Sequence, residues 1–370
     1  MKDLIVYLSI FTFVFASCKK DKTETAIVVK YSDEYKESHK GKYFIEIPDV
    51  YELSYIVLAL KDQSTPTYFV EKGTDYYNSV IKSFNSYKSH ELFSFLNFKY
   101  DDFYSYYGLS TNSYKFYFDS DEIKSKNQYN YMWNPDIFSQ NISKIQDFSI
   151  KSNFKDFYNN NLNYYKQQID LYDSIVPINL MWNWIENQFD NKHDCYIILI
   201  SPLTNGSHCT QRFESSDYKE TIIFVSGIHE KLQKLDSVSK NKFMQYVFTE
   251  IDHNYVNPVS DKYLSDINKS FSKSTVWITS NDINNMYSTP YAIFNEYMTW
   301  SVFNLFILDN FSVEYFNYVN NEVESKMISQ RGFKYFDKFN KKLIELYKNR
   351  NSNERIKDLY PQILEWANQQ

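Results

Sequence analysis

The segment from Tyr297 to Leu308 constrains the fold of this 370-residue chain more than any other. Its pattern predicts a helix that is apolar on nearly every face, and such a helix is stable only when neighbouring elements surround it. Thr289-Pro290 supplies a cap and a first-turn proline, so we expect a central helix over residues 290–308. Glu296 stands at the start of the apolar stretch, where a carboxylate is costly unless it is paired, exposed or bound to a cation.

A second predicted helix carries the motif Thr249-Glu250-Ile251-Asp252-His253. In the zinc-binding pattern H-E-x-x-H, two histidines four residues apart share one helix face and ligate the metal, and the glutamate between them is the general base. Thr249 stands where the first histidine would be, whereas Glu250 and His253 match the base and the second ligand. The motif therefore predicts a site of zinc-peptidase type that lacks one imidazole.

The helix with this motif is expected to begin near Asp236-Ser237 and to end at Asn257-Pro258, because the residue before a proline disfavours helical backbone. Apolar residues at helical spacing from Phe243 to Tyr255 predict one buried side, and the motif residues lie on another. Asp252 is expected to be solvated. The upstream segment His229-Glu230-Lys231-Leu232-Gln233 has Gln at the second ligand position, so it predicts only an amphipathic turn of helix.

The remaining pattern predicts a helix-rich α+β fold. Helices are expected at 49–60, 74–86, 89–98, 142–150, 154–172, 177–189, 313–331, 335–350 and 354–367. Short strands are expected at 27–31, 43–47, 195–200, 221–225 and 275–279.

The N-terminal residues 1–17 predict a lipoprotein signal peptide. Lys2 precedes an apolar run from Leu4 to Phe15, which is too short to span a bilayer as a mature helix, and small residues then precede Cys18. Cleavage before Cys18 and acylation of its thiol would attach the mature protein to a membrane. An ordinary signal peptide with an incidental cysteine is the alternative.

The composition argues against nucleic acid as a partner and leaves the pairing of two cysteines undecided. The net charge of -6 and pI near 5.6 provide no electrostatic footprint for nucleic acid. A genome poor in G and C would explain the 35 Tyr and 30 Phe, so these residues do not by themselves predict a ligand platform. An exported compartment would permit a disulfide between Cys195 and Cys209, but a hairpin turn at Asn205-Gly206 would keep them apart, and the pairing stays undecided.

The order of strand, strand, zinc-type helix, loop and a second helix with Asn295-Glu296 resembles the gluzincin branch of the zincin peptidases. Residues 243–258 and 295–297 also resemble a family of zincin-like lipoproteins. Further landmarks of that family are Tyr51-Glu52-Leu53 and Ser201-Pro202-Leu203 followed by His208. The resemblance implies that His253 and Glu296 ligate zinc and that Glu250 activates the water.

The patterns and the resemblance together divide the chain into a signal peptide at 1–17, a tether at 18–40, a mostly helical region at 41–190 and a zincin-like metallopeptidase domain at 191–370. The signal peptide and Cys18 predict a protein exported to the cell envelope and lipid-anchored there, with a periplasmic or surface face, and analogy with the family favours the outer membrane. Besides the membrane, the expected partner is a peptide or protein ligand.

The departure from the family pattern at Thr249 leaves three functions open. Because a catalytic zinc usually has three protein ligands, we expect zinc to bind weakly or not at all, and the domain to serve as a binding or structural module. Alternatively, an active metallopeptidase could take its missing ligand from His208, His229, Asp252 or a water. The third function is glycan or peptide binding by exposed aromatics. His208 lies in a loop, where it could contact a substrate or cap a turn.

Overall fold

A mixed five-stranded sheet and a largely buried helix organise the chain into the helix-rich α+β fold that the sequence predicts. The structure is a computed structural model that describes residues 26–61, 69–99, 102–130, 132–228, 237–279 and 287–370. Its strands are β1 (Ile27–Val28), β2 (Lys42–Glu46), β3 (Phe116–Asp119), β4 (Glu122–Ser125), β5 (Cys195–Ser201), β6 (Cys209–Glu214) and β7 (Lys219–Ser226).

The helices up to residue 188 form most of the N-terminal half. They are α1 (Asp33–His39), α2 (Asp49–Leu60), α3 (Asp75–Phe84), α4 (Leu92–Phe95), α5 (Phe103–Ser113), α6 (Ile137–Gln140), α7 (Ile142–Lys151), α8 (Phe154–Asn160), α9 (Leu162–Ile175) and α10 (Ile178–Gln188). The later helices are α11 (Ser237–Lys262), α12 (Leu264–Ser270), α13 (Ser274–Trp277), α14 (Pro290–Asn310), α15 (Val313–Ser325), α16 (Phe336–Asn349) and α17 (Tyr360–Ala367). A π-helical turn, Lys326–Gln330, follows α15, and 3-10 turns lie at Asn85–Tyr87 and Ile356–Leu359.

The large sheet has the strand order β1-β6-β7-β5-β2. Strands β2, β5 and β7 are parallel, whereas β6 runs antiparallel to β7 and carries β1 at its other edge. Every residue of β5 is buried, as expected for a strand that has parallel neighbours on both sides. Because β1 and β2 come from the N-terminal half, the sheet joins segments from both sides of residue 190.

The pairing of strand β6 determines how far apart the two cysteines lie. It pairs with β7 rather than with β5, so Asn205-Gly206 does not close a hairpin between β5 and β6. Cys195 lies opposite Glu220 and Cys209 opposite Phe224, on opposite edges of β7 and about 13 Å apart along it. Both cysteines are buried, and they do not form a disulfide with each other.

Helix α14 is the central helix that the sequence predicts. Its N-cap is Thr289, Pro290 lies in its first turn, and every residue from Ile293 to Ile307 is buried. The predicted helix at 49–60 is likewise confirmed as α2, and strands are confirmed at β2, β5 and β7. Between residues 154 and 172 two helices, α8 and α9, replace the single predicted helix, with the break at Asn161.

The predicted end of α11 at Asn257-Pro258 is wrong, because the helix continues through Pro258 to Lys262. A proline cannot donate the backbone bond to the carbonyl four residues earlier, which here is that of Asn254. Asn191 Nδ2 donates to this carbonyl at 3.0 Å, so a side chain from another part of the chain replaces the missing N–H. A distant partner therefore lets the helix pass the proline.

The strand predicted at Thr275–Thr279 is also wrong. Ser274–Trp277 forms the short helix α13, because the Trp277 ring packs into the core and its indole N–H donates to the carbonyl of Ser270. Only Ile278 makes a single bridge, to Phe333.

Residues 1–25, with the predicted signal peptide and Cys18, lie outside the described residues, as does the helical turn predicted at His229-Glu230-Lys231-Leu232-Gln233. Helix α1 and strand β1 lie within the range predicted as a tether. None of the helices in the described ranges is both long enough and apolar enough to span a bilayer.

Replacing Asn191→Ala should lower the free energy of unfolding by about 1–2 kcal/mol, because it leaves the buried carbonyl of Asn254 without a donor. In a Pro258→Ala background the restored N–H of residue 258 can take over that carbonyl, so the same replacement should cost much less. Urea unfolding of the four proteins measures the coupling. Equal costs in both backgrounds would show that Asn191 does not serve the proline site.

Candidate functional site

Helices α11 and α14 bring together the two side chains that the zinc motif singles out. His253 Nε2 lies 3.8 Å from Glu296 Oε1, although the two residues are 43 positions apart in the chain. Glu296 is almost completely buried, whereas about a sixth of the His253 side chain is exposed. The other ring nitrogen, Nδ1, lies 3.4 Å from Asn257 Oδ1 on the next turn of α11. An imidazole and a carboxylate therefore converge at the edge of the core.

Thr249 does not present its hydroxyl to this point as a free ligand. Its Oγ1 donates to the backbone carbonyl of Gln245 at 2.9 Å, one turn earlier in α11. Threonine hydroxyls within helices commonly donate to the backbone carbonyl one turn earlier. The position of the first histidine is thus occupied by a side chain that is satisfied within its own helix.

A buried arginine forms an ion pair with Glu296. Arg331 lies directly after the π-helical turn, is 1% exposed, and donates from Nη2 to Glu296 Oε2 at 2.9 Å. Trp300 Nε1 donates to the same oxygen at 3.2 Å, and the Arg331 guanidinium stacks over the Trp300 ring. Arg331 also donates to the hydroxyl of Tyr287. One carboxylate oxygen is therefore held by two donors, and only Oε1 faces His253.

The carboxyl groups of Glu250 and Asp252 belong to the same electrostatic environment. Asp252 is completely buried, so the prediction that it is solvated is wrong. The reason is that the side of α11 that carries it is covered in the folded core. Burial raises the pKa of Asp252 well above its usual value, and the carboxylates of Glu250 and Glu296 raise it further. The pKa of Tyr287 is also raised, first by burial, with Glu296 and Glu250 adding to the shift against Arg331.

A second cation lies beside the site. Lys326, in the π-helical turn, donates from Nζ to Gln245 Oε1 at 3.1 Å and stands over the rings of Tyr246 and Trp300. Burial lowers its pKa well below the usual value, and the positive charges of Arg331 and Lys242 lower it further. The site therefore contains, beside the charged Arg331, a lysine whose charged form is disfavoured.

His208 lies near the α11 face rather than at the His253–Glu296 pair. It is 1% exposed, its ring is 4.2 Å from that of Tyr246, and Nε2 is 2.6 Å from Ser226 Oγ and 3.3 Å from the Asn205 carbonyl. Burial lowers its pKa to about 3, with Lys326 the second cause. At neutral pH it is an uncharged histidine.

These residues do not fit a catalytic zinc ion. Such an ion usually needs three protein ligands, and the structure offers His253 and one oxygen of Glu296, whose other oxygen pairs with Arg331. Over the ranges that the structure describes, no group of three or more His, Cys, Asp and Glu side chains could hold a metal ion. The geometry is that of an imidazole facing a buried carboxylate whose charge a guanidinium neutralises.

The model of one protein family, described as "Domain of unknown function (DUF4932)", matches residues 130–366. The chain belongs to the DUF4932 family. Neither the curated proteins nor the solved structures contain a match to it. The DUF4932 match covers α11, α14 and Arg331, so the whole candidate site lies within the family domain.

Sequence reasoning missed Arg331, Trp300 and Lys326 as members of this DUF4932 site. One signal was available for Arg331: the chain has only four arginines among many lysines. Arginine stays charged and makes planar paired bonds, which lysine cannot, so a rare arginine after a buried region is a candidate partner for a buried carboxylate.

Replacing Arg331→Met should lower the free energy of unfolding by about 3–5 kcal/mol, because it leaves the buried Glu296 carboxylate without a cation. Adding Glu296→Gln should recover much of that loss. Chemical unfolding of the single and double variants measures both effects.

The matched control is Arg355→Met, which breaks the exposed pair with Asp190 and should cost about 1 kcal/mol or less. A loss for Arg331→Met no greater than this control would contradict a buried pair of this importance.

Proposed function

We propose that this DUF4932 protein is a lipid-anchored protein of the cell envelope whose zincin-like domain binds a peptide or protein ligand without hydrolysing it. The observation that carries the proposal is the buried pair between Arg331 and Glu296, at 2.9 Å, beside His253 at 3.8 Å. Arg331 and a zinc ion would compete for the carboxylate of Glu296. The guanidinium has the advantage because it belongs to the same chain.

The arrangement of elements supports the zincin-like part of the proposal. The chain runs through β5 and β7 into α11 and then, after α12 and α13, into α14. This is the order of strand, strand, motif helix and ligand helix that the gluzincin resemblance implies. The convergence of His253 and Glu296 from two helices is what a ligand pair requires, and unrelated buried residues have no reason to meet in this way.

The loss of catalysis is supported by three independent features of the site. Thr249 is bonded to its own helix, Glu296 is bonded to Arg331, and the position three residues after Glu296 is Thr299 rather than the Asp that the gluzincin pattern uses to orient the first histidine. Loss of an orienting partner alone lowers metal affinity by about 10 to 100-fold. Each of these features should lower the affinity of the site for a metal.

A role as a glycan-binding protein has less support. Five of the six tryptophans are less than a tenth exposed, and Trp366 is partly buried against the core. A glycan platform uses open, coplanar rings, and tryptophan does not supply them here. Most of the aromatic residues contribute to packing instead.

After incubation with zinc and removal of free metal, the purified protein should retain well under one equivalent, because the first ligand is absent and Glu296 is already paired. Thr249→His should raise the zinc content, and adding Arg331→Met should raise it further by releasing Glu296. Elemental analysis with circular dichroism of each variant gives zinc content and folding together.

Ser272→His, which places a histidine at an exposed position, is the control for nonspecific binding and should leave the zinc content unchanged. Stoichiometric zinc in the unmodified protein, lost on His253→Ala or Glu296→Gln, would instead establish the alternative of a working metallopeptidase.

The membrane anchor is tested separately. Cys18→Ala should move the expressed protein from the membrane fraction to the soluble fraction and abolish incorporation of labelled fatty acid, because the acylated thiol is the proposed anchor. Cys209→Ala, at a buried cysteine of β6, should change neither result. Unchanged fractionation of the Cys18 variant would exclude the anchor and leave the α11–α14 site unaffected.

A further inference from the structure

The lysine that follows the β3–β4 hairpin has its amino group in unusual surroundings. Lys126 comes directly after β4, and its Nζ lies over the ring of Tyr114, 3.4 Å from the ring centroid. Among the residues that the structure describes, this Nζ forms neither a hydrogen bond nor an ion pair. A lysine amine offers up to three donors, and here none of them has an acceptor from the chain. The side chain is partly exposed, so it is not sealed within the core.

The backbone on both sides of Lys126 is held in place. Its N–H donates to the carbonyl of Lys115 at 2.6 Å, and its own carbonyl accepts from the N–H of Tyr129 at 3.2 Å. Tyr129 in turn donates its hydroxyl proton to the buried carboxyl group of Glu220, near the start of β7. Lys126 is therefore fixed to the hairpin and, through Tyr129, to the large sheet, which limits the positions that its amine can take.

Three carboxyl groups act on this amine from neighbouring elements. They are those of Glu46 at the end of β2, Asp49 at the start of α2, and Glu220. Burial outweighs their attraction and lowers the pKa of Lys126 to about 8. The Tyr114 ring opposes part of this shift, because an aromatic face attracts a cation. At pH 7 Lys126 still has a larger neutral, nucleophilic fraction than an ordinary lysine, whose pKa is about 10.4.

A neutral amine among carboxyl groups is suited to one kind of covalent chemistry. Lysine amines whose pKa is lowered by desolvation attack carbonyl carbon atoms and form imines. A protonated imine keeps the positive charge of the lysine, which the three carboxyl groups and the Tyr114 ring stabilise. Acylation would remove that charge and leave the carboxyl groups without a cation. The surroundings of Lys126 therefore favour a carbonyl compound over an acylating one.

We propose that Lys126 binds uncharged aldehydes covalently as a protonated imine. The Nζ lone pair attacks the carbonyl carbon, a proton passes from nitrogen to the carbonyl oxygen, and a carbinolamine forms. Protonation of its hydroxyl group releases water while the nitrogen lone pair forms the C=N bond, so amine, aldehyde and one proton give protonated imine and water. Glu46, whose pKa is raised by burial, is the acid suited to donate that proton, and its carboxylate then becomes a counter-ion of the imine.

The same charges select among carbonyl compounds. An aldehyde that carries a carboxylate of its own would be repelled by the carboxyl groups around Lys126, whereas an uncharged aldehyde would not. Lys126 and Tyr114 precede the range 130–366 that the family model matches. The proposal does not depend on the peptide-binding function, because its residues are separate from the His253–Glu296 pair.

Reductive labelling of the purified, unmodified protein tests the proposal. Propanal forms imines with lysines, sodium cyanoborohydride supplies the hydride that converts each imine into a stable propyl-lysine, and peptide mass spectrometry locates the product. At pH 7 Lys126 should be labelled at least about tenfold faster than Lys82, an exposed lysine of α3. Glyoxylate, an aldehyde with a carboxylate, should show a much smaller preference for Lys126. In protein unfolded by urea the preference should disappear, because it depends on the folded surroundings.

Lys126→Arg keeps a cation but removes the nucleophilic amine, so it should abolish the fast phase of labelling. Lys82→Arg is the matched control and should leave the labelling rate of Lys126 unchanged. Because the label is read residue by residue in the unmodified protein, the test does not require the Lys126 variant to fold. A preference of Lys126 over Lys82 smaller than about tenfold, or an equal preference with propanal and glyoxylate, would overturn the proposal.

Discussion

The buried pair between Arg331 and Glu296 is the interaction on which the C-terminal half depends. It joins the turn after α15 to α14, the helix that the rest of the core surrounds. A carboxylate and a guanidinium buried together need each other, because removing either partner leaves an uncompensated charge in an apolar medium. Trp300 completes the arrangement by donating to the carboxylate and stacking under the guanidinium. This pair sets the position of the Glu296 oxygen that faces His253.

The same pair determines what the α11 motif can do. His253 of α11 faces the Glu296 carboxylate, and Arg331 already supplies the positive charge that pairs with this carboxylate. Lys326 adds a second positive group whose charge is disfavoured by burial. We propose that a site with these charges binds polar or charged groups of a ligand rather than polarising a peptide bond. The charges around Glu296 are consistent with the proposed binding function.

Two buried carboxyl groups of this protein are stabilised in different ways. Glu296 receives a guanidinium from its own chain, whereas Glu52 receives a tyrosine hydroxyl at one oxygen and no partner from the described residues at the other. The difference follows from the surroundings, since the side chains of Tyr76 and Ser201 lie beside Glu52 whereas Arg331 lies beside Glu296.

The amino-acid sequence by itself determined the local elements with strong periodicity: the apolar helix α14, the motif helix α11 and the strands β5 and β7. The resemblance of its motif and element order to the gluzincins also implied that His253 and Glu296 share one site. Only the tertiary structure decided that α11 passes Pro258, that Asp252 is buried and that Arg331 pairs with Glu296. Each of these depends on a partner or a covering element distant in the chain, such as Asn191 for the carbonyl of Asn254, and local patterns carry no information about such contacts.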